Sequence, residues 1–208
     1  QRMDNAPYGK VIYGDVYRHI FDKHNYGRPM IGYIKDLDAA KLEEFQAFYD
    51  KWYMPNNAVL VVAGDFEKKD ARTFIKNYFE PIPKRNAPNR IKIVEPERTE
   101  EKRIKEYDSN IRTPLIGLAY KTPSMKERDA KVLDVISTVL SNGKSSRLYK
   151  KLVDDKKKAL QAFSFSRPLE DYSVYIIGAM PLGKTSLDDL ISEMDEEIVK
   201  LQTDLISD

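Results

Sequence analysis

The chain contains no cysteine. That excludes disulfides, thiolate nucleophiles, cysteine-ligated zinc and iron–sulfur clusters together. Only two histidines are present, His19 and His24, so a metal site would have to be dominated by carboxylates. No apolar run approaches the roughly 18 residues of a membrane-spanning helix. Neither sign of charge prevails. The 35 basic and 33 acidic residues leave a formal +2, which gives no general attraction to nucleic acid or to an anionic membrane. The opening QRMDNAPYG has no initiator Met and no signal-peptide pattern, so the chain is expected to be a piece of a longer protein. None of this selects a compartment: bacterial cytoplasm, periplasm and cell envelope are all compatible.

What is present suits one large domain or two small ones. The 208 residues, 41% apolar and 33% charged, are enough for a real core. Residues 7–21 predict a helix, with Pro7 in its first turn and Ile12, Val16 and Ile20 along one face. NYGRP (25–29) is a loop. A second helix spans residues 41–53, with Leu42, Phe45, Phe48, Tyr49 and Trp52 forming a stripe expected to face a core. The valine-rich run AVLVVA (58–63) reads as a strand covered on both faces. Ala71, Phe74, Ile75, Tyr78 and Phe79 mark a third amphipathic helix. Four prolines among many charges then mark residues 81–103 as a linker between a first region, 1–80, and a second, 104–208.

The second region opens with strands expected near 103–107 and 115–121. Ser124 and Glu127 make a capping-box pattern ahead of a helix carrying Val132, Leu133, Ile136, Val139 and Leu140. Asn142–Gly143 closes that helix, and a shorter one runs over 146–155. Strands near 159–166 and 172–180 follow, then a helix starting at Thr185 or Ser186 and including Leu187, Leu190, Met194, Ile198 and Leu205. Strand pairs followed by helices predict an α+β fold, a mainly antiparallel sheet with helices packed on one face.

Residue by residue, no catalytic apparatus is evident. His19 and His24 stand five apart, about 140° around a helix, so they do not share a face as metal-binding histidines do. NGKSS (142–146) resembles the end of a phosphate loop, but the required earlier glycine is Thr138 and the preceding residues are helical. What remains is a turn whose free amides and Arg147 could touch a backbone or an anion. The carboxylate pairs Glu43/Glu44, Asp154/Asp155, Asp188/Asp189 and Glu196/Glu197 are expected on solvated helix faces, and Lys156–Lys158 in a surface turn.

Three segments together resemble one family: NAPYG, the stretch NYGRPMIGYIKDLDAAKLEEFQAFYDKWYMPNNAVLVVAGDF, and LSNGKSSRLYKKLVDDKKKALQAFSF. They are similar to the insulinase/pitrilysin zinc metallopeptidases, which include the mitochondrial processing peptidases and carry an inverted H-x-x-E-H helix. The resemblance implies a processing-peptidase-like metallohydrolase fold in partial tandem domains, closing around a chamber for extended peptides. It implies zinc held upstream of this chain, since no H-x-x-E-H is present. By that likeness residues 1–80 end a first domain and 104–208 make most of a second, non-catalytic one, with no cofactor of its own.

The family's Gly-Ser loop ending in S-R-L maps onto Asn142, Gly143, Lys144, Ser145, Ser146, Arg147 and Leu148. Of these Asn142, Gly143, Ser145, Ser146 and Arg147 are the residues implied to contact substrate. The family's following arginine and tyrosine are replaced by Val153 and Leu160, and valine cannot donate bidentate bonds to an oxyanion. Expected partners are therefore a peptide and other domains or a paired family subunit. Two alternatives stand beside a peptidase segment: a catalytically dead structural assembly subunit, or a generic peptide-binding module.

Overall fold

A computed structural model describes residue 6, residues 8–204 and residue 206. Pro7 and Leu205, both placed in helices by the sequence, lie outside the described residues. The chain divides into two compact units, one of residues 1–28 with 96–208 and the other of residues 29–95.

The first unit is built on three antiparallel strands, β1 (Ile116–Thr122), β2 (Ala159–Arg167) and β3 (Ser173–Pro181), in the order β1-β3-β2. Leu118 lies opposite Ile177 on one side of β3, and Phe165 lies opposite Ile176 on the other. Helices cover one face of β3 and the Tyr17–Phe21 segment the other, which explains why its apolar residues run nearly unbroken. Alternate side chains then serve two cores. Tyr175, Ile177 and Ala179 point toward Leu140, Leu148, Leu152, Leu190 and Met194, the inner residues of the helices. Val174 and Ile176 point the other way, onto Tyr17 and Phe21.

Those helices are α5 (Arg128–Ser141), α6 (Leu187–Thr203) and a wide-turned segment, Tyr149–Asp155, that continues a short helix begun at Arg147. Ser186 caps α6, its hydroxyl accepting the Asp189 N–H at 3.1 Å. Gly178 lets the sheet close: a Cβ there would lie 2.6 Å from Phe163 Cζ and 2.7 Å from the Ile116 carbonyl oxygen. The opposite sheet face receives α1 (Val16–Ile20), which follows a π-helical stretch, Val11–Asp15. The α+β expectation holds, with α1 as an added cover on the second face.

The second unit contains α2 (Ile34–Ala39), α3 (Leu42–Trp52) and α4 (Lys68–Phe79). Its contacts include ring pairs along α3, such as Tyr49 on Tyr53 at 5.1 Å, and polar ties. Asn56 donates to the Arg85 carbonyl at 2.8 Å, and the Arg85 guanidinium donates to the Asp50 carboxylate at 2.6 Å. Met54 is its one buried apolar side chain among the described residues.

Three expectations are corrected here. Residues 58–63 form no strand and are not covered, Val59 being 90% and Val61 78% exposed. A valine run has strand geometry only when a neighbour supplies ladder hydrogen bonds, and among the described residues none pairs with it. The α3 stripe is not core: Leu42, Phe45, Phe48 and Tyr49 are all exposed. Amphipathic patterning secures the helix, but burial needs an opposing surface. Residues 103–107 are not a strand either, and Arg103 instead pairs with Glu101 and Asp188. The helix α2 has no counterpart in the sequence reading.

Candidate functional site

The loop joining α5 to the next helix carries four of the five candidate contact residues, and Arg147 opens that next helix. α5 ends as the Asn142 N–H reaches the Thr138 carbonyl at 3.1 Å. Gly143 then adopts φ +80°, a left-handed conformation that side chains disfavour, although a Cβ there would meet open space. The chain turns back on Ser146, whose N–H and hydroxyl both donate to the Gly143 carbonyl, at 3.2 and 2.7 Å. Leu148 and Leu152, fully buried, nail the following helix into the core. At the other root, the Ser141 hydroxyl accepts the Ser164 N–H at 2.7 Å and ties α5 to β2.

The loop is thus held at both ends, and its tip is presented to solvent. Asn142, Gly143, Lys144 and Ser145 are exposed; Ser146 is buried and its hydroxyl is spent on the turn; Arg147 is half-buried. Arg147 lines an open groove of about 540 Å³ with Lys150, Asp155, Lys156 and Lys200. Val153, at the position of the family's arginine, packs against the core, whereas Leu160 is exposed.

Beneath that groove lies an ion network that the sequence reading missed. Glu193 is buried and takes hydrogen bonds from Lys156 at 2.6 Å and Lys158 at 2.7 Å, with Lys151 at 3.1 Å. Burial pushes its carboxyl up, but the three ammonium groups outweigh that and hold it at about 2. Glu197 is also buried, between Lys200 at 2.8 Å and Lys151 at 3.2 Å, and Lys151 reaches Glu196 at 2.7 Å. The lysine turn and the Glu196/Glu197 pair are therefore not simple solvated features. The signal was there in α6: Glu193 and Glu197 sit beside Leu190 and Met194 on the buried stripe, at spacings of three and four.

The sequence matches the family described as the peptidase M16 inactive domain over residues 39–208. The chain belongs to this family, the insulinase/pitrilysin group that its motifs resembled. It is 30% identical over 177 residues to the zinc protease PqqE of Helicobacter pylori, covering 84% of this chain and 40% of that protein. Its fold superposes on the crystal structure of a protease from Helicobacter pylori with a TM-score of 0.82 at 28% identity, over 99% of this chain and 50% of the other. The periplasmic protease PqqL from Escherichia coli shares the fold at a TM-score of 0.72 and 19% identity, over 99% of this chain and 23% of its own. The chain thus spans half or less of the length of these relatives.

The donors of the described residues do not gather into a site for the relatives' zinc. His24 Nδ1 accepts the Tyr26 N–H at 3.2 Å, and its Nε2 faces Asp171 at 3.4 Å. His19 faces Glu106 at 3.3 Å. Among the described residues no group of three or more His, Asp or Glu side chains could hold a metal ion. No helix of the described residues is long and apolar enough to cross a membrane.

Proposed function

We propose that this chain is a non-catalytic segment of an M16 zinc peptidase that walls a peptide chamber and contacts extended peptide through residues 142–147. The observation that carries this reading is the anchored loop. Its exposed backbone is held by Gly143, Ser146 and Leu148 in a chain belonging to the inactive-domain family. Asn142, Gly143 and Ser145 present polar groups to a peptide backbone, Ser146 sets the loop shape, and Arg147 supplies a donor at its rim. Zinc and its ligands belong to another part of the polypeptide or to a partner.

In the same reading, residues 1–80 complete a first domain, 81–103 connect, and 104–208 form most of a second, the segment before residue 29 crossing over to pack on the second domain's sheet. The exposed faces of α3 and α4 and the uncovered run 58–63 support this, because such apolar surface is normally covered. The reading suits cytoplasm, periplasm or envelope, the periplasm being the compartment of PqqL.

The purified chain is expected to bind no stoichiometric zinc by elemental analysis and to cleave no peptide, while binding extended peptides by fluorescence anisotropy. Gly143→Val, which cannot hold φ +80° without strain, should weaken that binding several-fold. Chelator-sensitive peptidase activity of the chain itself would overturn the assignment. The assembly-subunit reading is favoured by Val153, whose packing into the core leaves no arginine there to assist catalysis. It prevails if the intact protein and its partners lack H-x-x-E-H.

A further inference from the structure

On the sheet face opposite α5 and α6, Phe163, Phe165 and Arg167 follow one another at every second residue of β2, an edge strand of the sheet. Strand geometry sets these side chains about 6.6 Å apart on one face. Phe163 and Phe165 are half-buried and their rings stack at 6.2 Å. Past them, the Arg167 guanidinium lies 5.3 Å from the centre of the Tyr13 ring and 5.5 Å from that of Tyr17. Two aromatic rings one helical turn apart therefore hold one planar cation.

The Arg167 guanidinium makes no hydrogen bond or ion pair with any described residue, its backbone alone pairing with β3 opposite Val174. Several other basic side chains of the same unit are matched by a carboxylate. Arg18 is matched by Asp15 at 2.8 Å, Arg98 by Asp22 at 3.1 Å, and Lys151 and Lys200 by the α6 glutamates. Nor does Tyr17 neutralise it: burial raises the pKa of this phenol, more than the nearby arginine lowers it, so Tyr17 remains protonated at neutral pH. Arg167 is half-buried and Tyr13 is 51% exposed, so the fork is oriented, charged and within reach of solvent.

We propose that Arg167, clamped by Tyr13 and Tyr17, is a carboxylate-binding subsite that selects extended peptides bearing an acidic side chain two residues from an apolar one. The guanidinium donates two parallel N–H bonds to the carboxylate, and Phe165 and Phe163 offer apolar contact to residues at two-residue steps along the peptide. No bond is made or broken. This assignment rests on the reading of the chain as a peptide-handling segment and adds a preference to it.

The test is fluorescence anisotropy on the 208-residue chain with two peptides carrying fluorescein on the N-terminal amine, fluorescein-Ala-Leu-Ala-Glu-Ala-amide and its Gln counterpart. The Glu peptide is expected to bind about tenfold more tightly at low salt, a preference that shrinks as salt is raised. Arg167→Gln should abolish the preference. Arg167→Lys, which keeps the charge but not the fork, should leave about threefold, and Tyr13→Ala, on an exposed ring, should reduce it similarly. Equal affinity of the wild-type chain for both peptides, or an undiminished preference in Arg167→Gln with an unchanged melting curve, would overturn the subsite. Equal affinity that is still weakened by Gly143→Val removes this subsite alone, whereas no binding of either peptide removes the peptide-handling reading with it.

Discussion

The two compact units of this chain have similar sequence texture and very different interiors. Both carry amphipathic helices rich in aromatic and branched residues, and both have a valine- or isoleucine-rich run of strand character. In the unit of residues 96–208 with 1–28, the run Ser173–Pro181 is paired on both edges and covered on both faces. In the unit of residues 29–95, the run 58–63 is neither paired nor covered. Hydrophobicity is a local property of a sequence, whereas burial is a property of what stands opposite. The first unit supplies its own opposite surface; the second, among the described residues, does not.

That contrast can be broken most forcefully at Leu152, which is fully buried together with Leu140, Leu148, Ile177 and Leu190 in the main core. Leu152→Ala should cost about 3 kcal/mol in urea unfolding, the transfer and cavity terms acting together. A smaller but still large loss, about 2 kcal/mol, is expected from Gly178→Ala. The new methyl cannot avoid the Ile116 carbonyl, and the displaced Phe163 ring must move with it; thermal denaturation would register this as a lowered midpoint.

The Glu193 network gives a pH-dependent version of the same comparison. Its carboxyl is depressed to about 2 in the folded chain, from an ordinary value of 4.5. The stability it contributes is therefore fully present above pH 4.5 and is lost as pH falls toward 2. Partial exposure of Lys156 and Lys158 reduces the effect to about 2 kcal/mol at most. Unfolding curves measured across this window should slope for the wild type and flatten for Glu193→Gln. The smallest effect belongs to the other unit. Phe48→Ser, at a 58% exposed ring, should change unfolding by less than about 0.5 kcal/mol. A loss comparable to that at Leu152 would show that α3 is buried in the chain as it exists in solution.

Sequence legibility followed the same division. From residue 116 onward the strands, the Gly143 helix stop and the Ser186 cap could be read directly, because pattern, turn chemistry and pairing agree there. In residues 41–63 the helix was legible, but its exposure and the failure of 58–63 to form a strand were not, because both depend on surfaces that sequence periodicity does not report. The packing of Tyr17 and Phe21 against Val174 and Ile176 was likewise invisible, since periodicity shows that a face is apolar without naming its partner. At the candidate site, Gly143 and the loop could be recognised from motif and turn preference. The commitment of Ser146 inward and the lysine clamp on Glu193 could not, because each depends on a side-chain direction set by the turn and by α6.

The contact of Tyr17 and Phe21 with Val174 and Ile176 also constrains how the chain is made. The aromatic pair leaves the ribosome about 150 residues before its β3 partners do. At ordinary elongation rates that delay is on the order of ten seconds, far longer than a helix takes to form. During this interval the newborn α1 stripe has no β3 to rest on, and only a temporary shield can keep it from water.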